Sequence, residues 1–286
     1  MALDQYKEEE EEEGLSFLDH LEALRWHILR AISAVLILTI IAFLGKNIVF
    51  GVIILGPSNV DFITYRLFCD LGNFLGVEAL CIEKLPFTLQ SREMTGQFSM
   101  HMTSSLVVGF IVAFPYLFWE VWRFISPGLY DKEKNAARGA VFFVSFLFFL
   151  GASFGYFVLA PMSINFLANY QLDPSIINEF DISSYISTLT MLVLASAIMF
   201  QLPVVVYFLS KSGLVTSAML RSYRRHAIVV ILIVSAIITP PDVISQILIA
   251  MPILVLYEAG IMIAKRLEKE KAVKKAEEEL EEEENT

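Results

Sequence analysis

Few side chains in this 286-residue chain are equipped for chemistry, and most of them border long apolar runs. Asp19, His20 and Glu22 belong to the segment Ser16-Phe17-Leu18-Asp19-His20-Leu21-Glu22-Ala23-Leu24-Arg25. There Phe17, Leu21, Leu24 and Ile28 recur at helical spacing, and Ser16 with Asp19 has the form of a capping box. The spacing predicts an amphipathic helix entering a membrane, with a polar face that on its own reads as merely solvated. Glu133 lies just beyond the turn Pro127-Gly128, in a stretch that also holds Phe124; taken alone it is a surface acid beside Lys132 and Lys134. Deeper in the apolar runs stand Gln201 and Glu258, and polar groups at membrane depth are costly and usually functional. Gln201 carries no charge and relays no proton by itself, and on its own reads as an interhelical hydrogen bond. Glu258 is expected to snorkel or pair toward the inner membrane surface. No HExxH motif, nucleotide loop or Ser/His/Asp spacing is present, and His101 and Gln201 stand alone. Neither an enzyme nor a metal or other cofactor is expected.

The elements that must position these groups follow from composition. Hydrophobic residues make up 56% of the chain and charged residues only 18%, too few to cover a soluble domain of this length. The net charge of -10 is concentrated in two acidic tails, 8–13 and 277–284, which are expected to be solvated and disordered, although the Ala-, Glu-, Lys- and Leu-rich stretch 265–284 is also able to continue the last helix before fraying. Runs able to span a bilayer are 28–53, 98–122, 139–160 and 185–210, followed by shorter pieces at 227–238 and 243–264 on either side of Thr239-Pro240-Pro241-Asp242. The fifth piece is short for ~30 Å of hydrocarbon. Either the bilayer thins there or the last pair is a re-entrant hairpin.

Basic residues orient these helices. Arg123, Lys132, Lys134 and Arg138 fall in one loop and Lys211, Arg221, Arg224 and Arg225 in another, whereas 161–185 has no Lys or Arg. Cytoplasmic loops collect such residues. The expected fold is all-α and polytopic, with six transmembrane helices and both termini cytoplasmic. Residues 1–15 form an acidic tail, 16–264 the membrane domain and 265–286 a charged cytoplasmic tail. No cleavable signal peptide is expected, since the N-terminus is acidic. The long outer loop, roughly 54–97, alternates breakers with apolar residues and reads as a packed cap with short helices. It holds both cysteines, Cys69 and Cys81. In an oxidising compartment they form a disulfide; the alternative is two unpaired buried thiols.

Five stretches, in order, resemble the TatC family of the twin-arginine protein translocase: the segment from Ser16, the loop Phe124-Ile125-Ser126-Pro127-Gly128-Leu129-Tyr130 with its following Glu133, Asp181-Ile182-Ser183-Ser184-Tyr185, Gln201-Leu202-Pro203, and Thr239 to Gln246. The resemblance implies a receptor for twin-arginine signal peptides of folded precursors. It would sit in the bacterial inner membrane and assemble with several copies of single-span TatA/TatB-type partners, with transport driven by the proton-motive force. Beyond these and membrane lipids no partner is implied, and no nucleic acid. Glu133 and Phe124 match the family's loop carboxylate and aromatic. The acid that the family carries before the first span is Ala23 here. Glu22 sits one place earlier, rotated by about 100° on a helix. Asp19 lies on the face of Ala23, so the two acids bracket the site, and Glu22, helped by Asp19, is expected to supply the second carboxylate; Gln201 is expected either to bond between helices or to contact the transported peptide or a partner helix. Paired guanidiniums suit such carboxylates because Arg, unlike Lys, offers a bidentate fork. A small-solute transporter would instead show inverted repeats or several ionisable groups at the midplane, and this sequence shows neither.

Overall fold

The structure, a computed structural model, describes residues 17–77, 81–82, 84–125, 134–173, 175–238 and 243–284. Helix α1 (Phe17–Leu44) joins the amphipathic lead-in and the first span without a break. It stops at Gly45, and a short turn followed by a π-helical stretch, Val49–Ile54, completes the crossing. Helix α2 (Ile63–Leu75) lies in the loop between the first and second spans and ends at Gly76, whose φ of 71° suits a residue without a Cβ. Then come α3 (Gly96–Ile125) and α4 (Lys134–Phe154); α4 runs through a π-helical turn, Gly155–Leu159, into α5 (Ala160–Asn169). Helices α6 (Ile182–Met199) and α7 (Leu202–Lys211) form the next crossing, followed by α8 (Ser217–Ser222), α9 (Arg224–Ile238) and α10 (Val243–Glu284).

Among the described residues, five helical segments are long and apolar enough to cross a membrane: Leu21–Leu44, Gly96–Phe124, Gly139–Asn169, Ile182–Lys211 and Gln246–Val273. The third runs past the expected end at 160, because Pro161 sits at the start of α5, where a missing N–H costs little. Helix α9 has 15 residues, about 22 Å at 1.5 Å each, so it falls short of ~30 Å of hydrocarbon. The turn 239–242 lies outside the described residues. The acidic run 277–284 is not disordered as expected: α10 continues to Glu284, on residues that favour helix intrinsically. The acidic tail 1–15 lies outside the described residues.

The core forms where α3, α4, α6 and α10 meet. Phe148 is fully buried and stacks on Phe114 at 3.5 Å between ring centres. Leu189, Leu192, Ile249 and Ile253 join the same cluster. Two glycines bring backbones together. A Cβ on Gly109 would lie 2.6 Å from the Thr39 nitrogen of α1, and one on Gly151 would lie 2.7 Å from the Ser196 carbonyl of α6. Small residues allow such approach where lipid supplies no hydrophobic drive.

The loops between the spans contain a feature the sequence did not suggest. Strand β1 (Thr88–Gln90) pairs in parallel with β2 (Glu179–Asp181), tying the loop before α3 to the loop before α6. Asp181 then caps α6, accepting from the Ser183 N–H at 2.8 Å while its other oxygen accepts from the Arg92 N–H at 3.0 Å. Those donated bonds, the Arg92 bond foremost, hold its carboxyl below the usual range. A disulfide joins Cys69 to Cys81 across the turn after α2.

Candidate functional site

Helices α1 and α3 pack along most of their length, and the groove between them has a volume of about 510 Å³. Its walls are almost wholly apolar, built by Leu24, Ile28, Val35, Leu106, Leu117 and their neighbours. Into this lining α3 projects Glu120, whose side chain is only 3% exposed. A carboxylate so placed needs compensation. His27 Nδ1 lies 2.5 Å from Glu120 Oε2, and an acceptor-only carboxylate puts the Nδ1 proton on that bond. Arg30 reaches the same oxygen at 3.7 Å, and the Tyr116 hydroxyl, one turn back on α3, bonds to the carboxylate as well. Each helix therefore presents one face: Tyr116, Glu120 and Phe124 at four-residue spacing on α3, with His27 and Arg30 opposite on α1. Phe124 meets the His27 ring edge-on at 6.1 Å.

That contact brings together two of the motifs predicted from sequence. The lead-in helix, through Leu24 and His27, and the end of α3, through Phe124, share one end of the groove. Ala23 is half-buried, and Asp19, Ala23 and His27 fall on one face at successive turns. Glu22, one residue round, is exposed. Asp19 is helical, but its side chain is not among those described, and Glu133 with 126–133 lies outside the described residues. Trp122 is buried against Phe118 and Phe208, because its face of α3 turns toward α7.

Sequence reasoning missed Glu120 and His27. The signal was present: an acid within an apolar run, and His27 and Arg30 three apart on a helix, which share a face.

The two intramembrane polar residues are elsewhere. Gln201 sits where α6 gives way to α7 and donates to the Val144 carbonyl of α4 at 3.2 Å, an interhelical hydrogen bond. Glu258 of α10 pairs with Arg224 at the start of α9 at 2.6 Å, while Arg266 pairs with Glu270. Below them α10 clasps the loop after α7. Glu268 accepts from both the N–H and the hydroxyl of Ser217, each at 2.6 Å, and Lys271 donates to the carbonyls of Ser210 and Lys211. Among the described residues there is no cluster of three or more side chains able to hold a metal ion.

Comparison with known proteins agrees with this architecture. Residues 19–252 match the family TatC, Sec-independent protein translocase protein. A protein of that name from Blattabacterium sp. subsp. Periplaneta americana is 38% identical over 91% of this chain and 99% of its own length. Another, from Desulforapulum autotrophicum, is 34% identical over 91% of this chain and 88% of its own. A crystal structure described as the twin arginine translocase receptor TatC superposes with a TM-score of 0.65 at 32% identity, covering 87% of this chain and 99% of that one.

Proposed function

Because the chain belongs to the TatC family of Sec-independent protein translocase proteins, we propose that it receives twin-arginine signal peptides and forms the multi-spanning core of a Tat translocase. Folded precursors would cross the bacterial cytoplasmic membrane through that assembly, driven by the proton-motive force. Single-span TatA/TatB-type subunits complete it. In this reading both termini and the basic loops 123–138 and 211–225 face the cytoplasm, and the disulfide-bearing loop faces outward.

The observation that carries the reading is the groove between α1 and α3, long, apolar, and bounded at one end by Phe124 and the lead-in helix. A signal peptide has a matching layout, two guanidiniums followed by an apolar stretch. Glu133 takes one guanidinium and the acids Asp19 and Glu22 the other, with Phe124 stacking nearby; the apolar stretch lies along the groove. Of the two acids, Asp19 is four residues from Ala23 and so shares its helix face, and Glu22 flanks it. Glu120 is not assigned as an arginine acceptor. His27 and Arg30 already satisfy its carboxylate, and it holds the two walls of the groove together. Gln201 and Glu258 join helices within the scaffold.

Photocrosslinking from probes at Ala23 and Glu133 tests this. An Arg-Arg precursor should label from both positions and its Lys-Lys variant from neither, because ammonium groups lack the planar fork. Equal labelling by the two precursors refutes the receptor assignment. Retained labelling in Glu22→Gln together with loss in Asp19→Asn would assign the second carboxylate to Asp19 alone.

A further inference from the structure

Helix α2 (Ile63–Leu75) has three faces rather than two. One faces the protein: Thr64 donates to the Phe157 carbonyl at 2.6 Å, and the Tyr65 hydroxyl reaches the carbonyls of Pro57 and Pro161. A second is polar and exposed, with Arg66, Asp70 and Asn73. The third is apolar and uncovered. Ile63, Leu67, Leu71 and Phe74 fall within an arc of about 80° at 3.6 residues per turn. Their exposures are 64%, 65%, 45% and 86%, and Leu75 beside them is 57% exposed. A soluble protein rarely leaves so continuous a stripe to water.

Two observations say what covers it. Depth is the first. The Thr64 bond is anchored at Phe157, 18 residues into the span that starts at Gly139, or about 27 Å along it. A hydrocarbon core is ~30 Å thick, so α2 sits at its far boundary, at the end of the bundle opposite Glu120. Continuity is the second. Ile63 shares a groove with Val52 at the end of the first crossing, and Val52 and Ile48 are 66% and 65% exposed, as lipid-facing residues of a span must be. The stripe thus prolongs a surface that already faces acyl chains.

We propose that α2 is an interfacial helix, its Ile63–Leu67–Leu71–Phe74 stripe buried among phospholipid acyl chains at the outer boundary of the hydrocarbon and its Arg66–Asp70–Asn73 face among the headgroups. The cap is thereby a membrane-resting platform, and its tilt is set by the lipid surface as well as by its bonds to α4 and α5. This assignment is independent of signal-peptide binding.

The test places p-benzoylphenylalanine singly at Leu67, Phe74, Arg66 and Asn73 of the full chain in native membranes. After irradiation, adducts are identified by mass spectrometry. Probes at Leu67 and Phe74 should yield about tenfold more phospholipid adduct than those at Arg66 and Asn73, as expected for one face buried ~5–10 Å into the interface. Protein adducts at Leu67 and Phe74 in place of lipid would show that a partner chain covers the stripe and would overturn the proposal. Equal lipid labelling at all four positions, or none above background, would overturn it too.

Discussion

Removing His27 should destabilise the protein more than neutralising the acid it serves, and the two changes should compensate each other. In His27→Ala, Glu120 keeps its charge in a site where its side chain is 3% exposed, and loses the 2.5 Å bond. Arg30 remains at 3.7 Å, an attraction worth about 4 kcal/mol in a medium of effective dielectric 20. Its guanidinium is nearly half exposed, so solvent and headgroups screen much of that. Breaking a buried pair from one side costs about 3–5 kcal/mol, and the remaining Arg30 contact puts His27→Ala near ~3 kcal/mol. Glu120→Gln keeps an acceptor for His27 and creates no buried charge, so about 1 kcal/mol is expected. In the double variant the stranded carboxylate no longer exists, and the loss should be roughly 2 kcal/mol, with a coupling of about 2 kcal/mol. Unfolding by increasing dodecyl sulfate in maltoside micelles, followed by far-UV circular dichroism, measures all three. Additivity within about 0.5 kcal/mol would refute the reasoning, since the groups would then not depend on one another.

Two further outcomes follow from close contacts. Gly109→Ala places a methyl against the α1 backbone at Thr39, and should cost about 1–3 kcal/mol through overpacking in the same denaturation assay, whereas an unchanged midpoint would mean that α1 shifts freely. Asp181, whose carboxyl is held below the usual range by donated bonds, contributes stability above its unfolded pKa of about 3.9, and loses it as pH falls through the lower folded value. Below about pH 4 the thermal midpoint of the parent should therefore fall more than that of Asp181→Asn, which keeps an acceptor but does not titrate; parallel curves would contradict the cap.

The spanning helices were legible because length and apolarity are local properties, readable from runs of residues such as those between Gly139 and Asn169. The cysteine pair was legible for a similar reason, lying close together in one loop. Glu120 was not. Besides Tyr116 on its own helix, the groups that make its burial tolerable, His27 and Arg30, come from α1, about 90 residues earlier, and their spacing shows a shared face but not which helix that face meets. The parallel pairing of β1 with β2 was hidden likewise: three-residue strands carry no period, and the pairing joins loops on either side of three helices. The motif around Ala23 was legible as a face, through the four-residue step from Asp19 to His27. Which acid completes it depends on side chains that sequence spacing alone does not orient.

The sparse burial of α1 bears on how the chain is made. Only 6% of the residues in its most apolar window are buried by the rest of the protein, and its principal neighbour, α3, ends about 80 residues after Leu44. At ribosomal rates of about 5–20 residues per second, the first helix waits on the order of 4–16 s in the bilayer before that neighbour is finished. Throughout that interval Arg30 must extend to the lipid headgroups for want of an anion, and emergence of Glu120 draws it inward. The polar contact between the first two spans therefore forms only after the second has been made, although the apolar packing around it supplies most of their attachment.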